Sequence, residues 1–149
     1  MKDLYNNLEI IKVLDPVSRG DGNSGNKEDI DLAGANSATL AWYVGACATA
    51  TDDNYWQIKL EHADDDGTGS AGTYTAVAAK DVLGVTPHAD GWVFYMKDHT
   101  TGASKISTVG YVGGKRFLKV SWDEQGTGPT SVFALFVIKG NLRDVPVIS

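Results

Sequence analysis

The densest group of oxygen ligands in the sequence is Asp64-Asp65-Asp66, with Asp52-Asp53 and Glu61 upstream. Hard cations such as calcium take several such oxygens, but a calcium loop needs ligands at alternate positions, a central glycine and a glutamate at its twelfth position. The run lacks that spacing and reads as a solvated loop. His62, His88 and His99 stand far apart and belong to no paired histidine or Cys/His pattern, so zinc is not expected. Cys47 is the single cysteine and sits in VGACATA; it has no disulfide partner and reads as a small buried side chain rather than an activated thiol. No GxSxG elbow is present. The expectation is a protein with no metal, no cofactor and no catalytic residues.

Two other groups carry recognisable chemistry. Arg19-Gly20-Asp21 is a tripeptide that some adhesion receptors bind, but so short a motif arises easily by chance and its glycine and aspartate suit a turn. The tryptophans Trp42, Trp56, Trp92 and Trp122 would make a sugar-stacking platform if exposed together. Each instead falls in phase with aliphatic neighbours, which predicts core packing, with Trp42, Trp56 and Trp92 buried.

The elements that must position these residues are strands. Leu8 to Leu14 is partly β-branched and precedes Asp15-Pro16, which predicts a strand ending at a turn. Ser18 to Asp29 is rich in glycine and asparagine and predicts a long exposed loop. Short and longer strands follow at Asp29 to Leu32 and Ala38 to Val44. Tyr55 to Glu61 alternates cleanly, with Trp56, Ile58 and Leu60 inward and Gln57, Lys59 and Glu61 toward water. Trp92, Phe94 and Met96 alternate again. In GYVGGKRFLKVSW, Gly113-Gly114 predicts a tight hairpin turn pairing Tyr111-Val112 with Lys115 to Trp122, which puts Lys115 and Arg116 at its tip. Ser131 to Lys139 is apolar on both faces, as a central strand would be. About eight strands without a helical period predict an all-β, antiparallel two-sheet β-sandwich or jelly roll.

The length of 149 residues suits one domain with one core. The net charge of −6 argues against nucleic acid, whose phosphates require clustered cations. Apolar runs fall well short of the roughly 20 residues of a membrane helix, and the N-terminal stretch lacks the apolar core of a secretory signal, so synthesis in a cytoplasm is expected.

The collinear phrases MKDLYNNLEIIKVLDP, IDLAGANSATLAWYVGA, YWQIKLEHADDDGT, VAAKDVLG, GYVGGKRFLKV and IKGNLRDVPV span most of the chain. In that set the sequence resembles short structural proteins of tailed bacteriophages and prophages encoded near the major capsid protein. The chain is longer than that pattern in the SGNKED region and between Pro87 and Ser104. The resemblance implies a virion protein, foremost a decoration or cement protein that binds the outer capsid surface as a trimer, with the major capsid protein as partner. A head-completion or tail-associated protein is the alternative within phage biology, and a carbohydrate-binding module the alternative outside it. Residues 1–7 precede the first strand and suit an arm. Lys2, Asp3, Leu4 and Tyr5, together with Lys115 and Arg116, are the expected capsid contacts.

Overall fold

A computed structural model describes residues 4–98 and 104–142. A 3-10 turn at Tyr5–Asn7 leads into ten strands: β1 (Leu8–Arg19), β2 (Gly25–Asp31), β3 (Ala35–Cys47), β4 (Tyr55–Ala63), β5 (Thr75–Ala76), β6 (Val82–Leu83), β7 (Trp92–Met96), β8 (Lys105–Tyr111), β9 (Phe117–Gln125) and β10 (Ser131–Leu142). One sheet, the first, runs β1-β10-β3-β8-β6, and the second runs β2-β9-β4-β5, with β7 also on β4; all pairings are antiparallel. Setting aside the two-residue strands β5 and β6, the chain steps between sheets at every connection except β4 to β7. The resulting orders β1-β10-β3-β8 and β2-β9-β4-β7 are the wiring of a jelly roll.

Alternation built this sandwich. From the first sheet Leu40, Trp42, Val44, Val109, Phe133, Leu135 and Val137 point inward, and from the second Ile30, Trp56, Ile58, Leu60, Leu118, Val120 and Trp122. At about 25 cal/mol per Å² of apolar surface, this burial is the main force holding the two sheets together.

Several sequence expectations give way to the topology. The first strand does not stop at Pro16: β1 continues to Arg19, with register shifts between Lys12 and Leu14 and between Leu14 and Val17. It lies at a sheet edge, where a proline's missing N–H costs no ladder bond. Of the expected loop from Ser18 to Asp29, Ser18 and Arg19 belong to β1 and Gly25 to Asp29 to β2. Gln57, expected in water, is buried because β4 is flanked by β7 as well as β9, and its amide donates to Asp123 at 2.9 Å. Trp92, expected in the core, is half-exposed. A register shift between Ile58 and Lys59 leaves Phe94 and Met96 inward and turns Trp92 out beside Lys59.

Gly113-Gly114 is not a hairpin turn. β8 belongs to the first sheet and β9 to the second, so the pair sits in a crossover between sheets. Its glycines have a different reason. Gly114 takes φ +69°, and a Cβ at Gly113 would lie 2.7 Å from the Tyr111 ring folded beneath it, a separation no side chain tolerates without movement of the buried ring.

Candidate functional site

The structure brings the chemistry-bearing residues together at one end of the sandwich, where β4 and β8 end and β9 begins. Inward positions there change from apolar to polar: His62 follows Leu60 and Tyr111 follows Val109. The Tyr111 hydroxyl lies 2.9 Å from His62 Nδ1 and accepts the Lys115 backbone N–H at 3.1 Å. His62 Nε2 faces the Asp81 carboxylate at 4.0 Å, and that carboxylate accepts the Ala78 N–H at 2.9 Å. The direction of the bond between Nδ1 and the Tyr111 hydroxyl follows the tautomer of the ring. The sequence reading missed this Asp81–His62–Tyr111 chain. The signal was present, since position 62 continues the inward series 56, 58, 60.

This cluster holds the fold. The His62 ring is buried with Nδ1 bonded to Tyr111 and Nε2 facing Asp81 from 4.0 Å, and burial pushes the Tyr111 hydroxyl up to about 12, the wrong direction for a nucleophile or base near neutrality.

Above it, a groove of about 570 Å³ is lined by the β2–β3 turn (residues 32–36) and by Tyr111, Val112, Gly114, Lys115 and Arg116. The two cations expected on a free hairpin tip are held from within the chain. Arg116 forks onto Asp31 with bonds of 2.9 and 2.8 Å and also pairs with Asp65. Lys115 Nζ lies 3.6 Å from Asp64 and donates to Thr75 at 3.2 Å. Arg116 holds the Asp31 carboxyl below its usual 3.8. The Gly69 and Gly67 N–H groups do the same, foremost, for Asp65, and Thr68 for Asp66. The acidic run therefore closes its own loop and anchors the crossover. Among the described residues no group of three or more histidine, cysteine or acidic side chains is placed to hold a metal.

Of the other expected contact residues, Leu4 and Tyr5 are strongly exposed, at 66% and 73%, and lead into the same end of the sandwich. Lys2 and Asp3 lie outside the described residues, as does His99. The Arg19-Gly20-Asp21 motif is not displayed: the Arg19 guanidinium packs 6.0 Å from the Trp122 ring and 5.9 Å from that of Phe133.

The two outer sheet faces differ sharply. On the second sheet the outer face carries Lys59, Glu61, Lys119 and Asp123 around Trp92, with Lys59 to Glu61 at 3.1 Å. On the first, the register aligns Ile10, Ile138, Thr39, Gly110 and Leu83 in one row across all its strands, Lys12, Phe136, Ala41 and Thr108 in a second, and Ala134, Tyr43 and Ile106 in a third. Ile10 and Ile106 are each 65% exposed and Leu83 59%. Lys12 is the one charged side chain in these rows, and Asp15 neutralises it at 2.9 Å on the sheet edge. The exposed hydrophobes Ile10, Tyr43, Leu83 and Ile106 are joined by half-buried Ile138 and Phe136 and interrupted by Thr39 and Thr108, and such a concentration of apolar side chains is a candidate contact surface.

The closed end sets the pH response. Burial pulls the His62 pKa below 6.5, so the unfolded chain binds that proton more readily and stability falls as pH drops below 6.5. Tyr74, bonded to Asp29, and Tyr111 are each pushed up to about 12 from 10.0, so stability falls as pH rises from 10 toward 12. Melting temperatures measured across pH should show a plateau between these limbs. Tyr74→Phe should soften the alkaline limb, and an unchanged limb in that variant would remove Tyr74 as a cause.

No helix among the described residues is long and apolar enough to cross a membrane. No protein-family model matches the chain, and no curated protein matches it.

Proposed function

We propose that the protein is a non-enzymatic structural component of a virion, a decoration protein that binds the outside of an icosahedral capsid in contact with the major capsid protein. The observation that carries this reading is the neutral outer face of the first sheet. A largely apolar surface with no net charge across the whole width of a rigid body is satisfied by protein contact and has no part in turning over a small molecule. The resemblance supplies the kind of assembly, and the jelly-roll body suits it. In this reading the protein resides on the particle in many symmetry-related copies, and binds neither nucleic acid nor membrane. Residues 1–7 reach the shell from the end where Leu4 and Tyr5 stand exposed.

Purified protein mixed with undecorated particles should bind in many copies, as counted by gel densitometry or particle density maps. Deleting residues 1–7 should weaken attachment about 10- to 100-fold, the effect of losing one or two anchoring side chains, with the melting temperature nearly unchanged. A handful of copies per particle would favour a head-completion or tail role. The carbohydrate alternative now rests on one half-exposed ring, Trp92, rather than a platform. Retention on a glycan array that is lost in Trp92→Ala would revive it.

A further inference from the structure

The neutral face lies on a chain whose charge is −6. Two such chains repel wherever their acidic surfaces approach, and like charges brought together at an interface cost several kcal/mol. Among the outer-face rows of the first sheet no carboxylate stands in register, and Asp15 at the edge is paired with Lys12, so a copy can approach there with little of that cost. The extent is also sufficient. Strands about 4.8 Å apart and a rise of about 3.4 Å per residue give the face about 500 Å², so about 1,000 Å² is buried over two partners, which reaches the lower bound of about 1,000 Å² for a specific interface. Tyr43 and Phe136 lie near its centre and Ile10, Ile106 and Leu83 around them, the aromatic-centred composition that favours association.

We infer that a second copy of this chain covers the outer face of the first sheet, so that the protein self-associates through Ile106, Tyr43 and Phe136 before it meets any shell. The inference rests on the reading of the protein as an assembly component and assigns its parts. The sheet face joins copies, and the end bearing Leu4 and Tyr5 remains free for the larger partner.

Sedimentation of the purified full chain decides it. The wild type should run as an oligomer, and Ile106→Glu should raise the dissociation constant about 30-fold or more. Asn26→Glu, which adds the same charge on an exposed position of β2, should leave association unchanged. Because Ile106 is largely exposed in the single chain, its variant should melt like the wild type diluted below the range of association, and that match excludes misfolding as the cause. A wild type that stays monomeric at its highest soluble concentration overturns the inference, as does an Ile106→Glu chain that associates as before. A monomer that still coats capsids would sink self-association and leave the capsid reading intact. An Ile106-dependent oligomer that ignores capsids would do the reverse.

Discussion

Alanine in place of Trp56 is expected to lower the unfolding free energy by about 3 to 5 kcal/mol, a large part of the roughly 5 to 15 kcal/mol that holds a domain folded. Trp56 is fully buried near the start of β4, 5.0 Å from the Phe133 ring of the opposite sheet. Its Nε1–H donates to the Pro129 carbonyl at 2.7 Å. The substitution therefore opens a cavity between the sheets and also removes the shorter of two bonds to a buried carbonyl, which keeps the Ser131 hydroxyl at 3.2 Å, a loss of about 1 kcal/mol on top of the cavity. Trp42 provides the contrast. It is equally enclosed, 5.8 Å from Phe94 and 5.9 Å from Phe133, yet its Nε1 has no hydrogen-bond partner among the described residues. Trp42→Phe removes an unsatisfied donor along with some volume and should cost about 1 kcal/mol, whereas Trp56→Phe should cost clearly more. Urea unfolding of the two phenylalanine variants makes the comparison, and equal losses would show that the Pro129 bond contributes nothing.

The same two residues show what alternation makes legible. Trp42 and Trp56 follow a strict period of two within β3 and β4, and the inward face was readable from the sequence. Trp92 follows the same period on paper, but the shift against β4 reverses its direction, and nothing in GWVFYMK marks where a strand will bulge. Pro16 misled in a related way. Proline ends a central strand but is tolerated on an edge, and whether a strand lies at an edge depends on partners remote in sequence. Gly113-Gly114 has the composition of a hairpin turn, yet in a jelly roll consecutive strands mostly belong to different sheets. The local signal for a reversal is real, while the partner across it is chosen by the fold.

The candidate surfaces were less legible for the same reason. The exposed apolar positions Ile10, Tyr43, Leu83 and Ile106 come from four different strands, and only the order β1-β10-β3-β8-β6 sets them side by side. Within each strand an outward hydrophobe is unremarkable. The partners of Arg116 are as remote: Asp31 comes from the end of β2 and Asp65 from the loop after β4, so the sequence could present the arginine only as an exposed charge.

Reversing that charge is expected to do more than weaken attachment to a partner. Arg116→Glu would place a third carboxylate against Asp31 and Asp65, replacing a forked ion pair by like-charge repulsion at the point where β2, the acidic loop and the inter-sheet crossover meet. The variant should melt clearly below the wild type at neutral pH. Asp31 and Asp65 are held below 3.8 in the native protein, so their contribution is present above that value and is lost as pH falls through the lowered folded pKa values. The gap between variant and wild type should accordingly narrow on acidification. Lys115→Glu should cost less, because Lys115 meets Asp64 at 3.6 Å, beyond close contact, and that carboxylate is largely exposed. Melting curves at neutral and acidic pH, run beside capsid attachment at low and high salt, separate the two roles. If Arg116→Glu melts like the wild type while attachment falls at low salt and recovers at high salt, the guanidinium belongs to the shell contact and its intramolecular pairs do little. A lowered melting temperature that recovers with acid places it where the geometry does, as the clamp that ties the acidic loop and β2 to the crossover between the sheets.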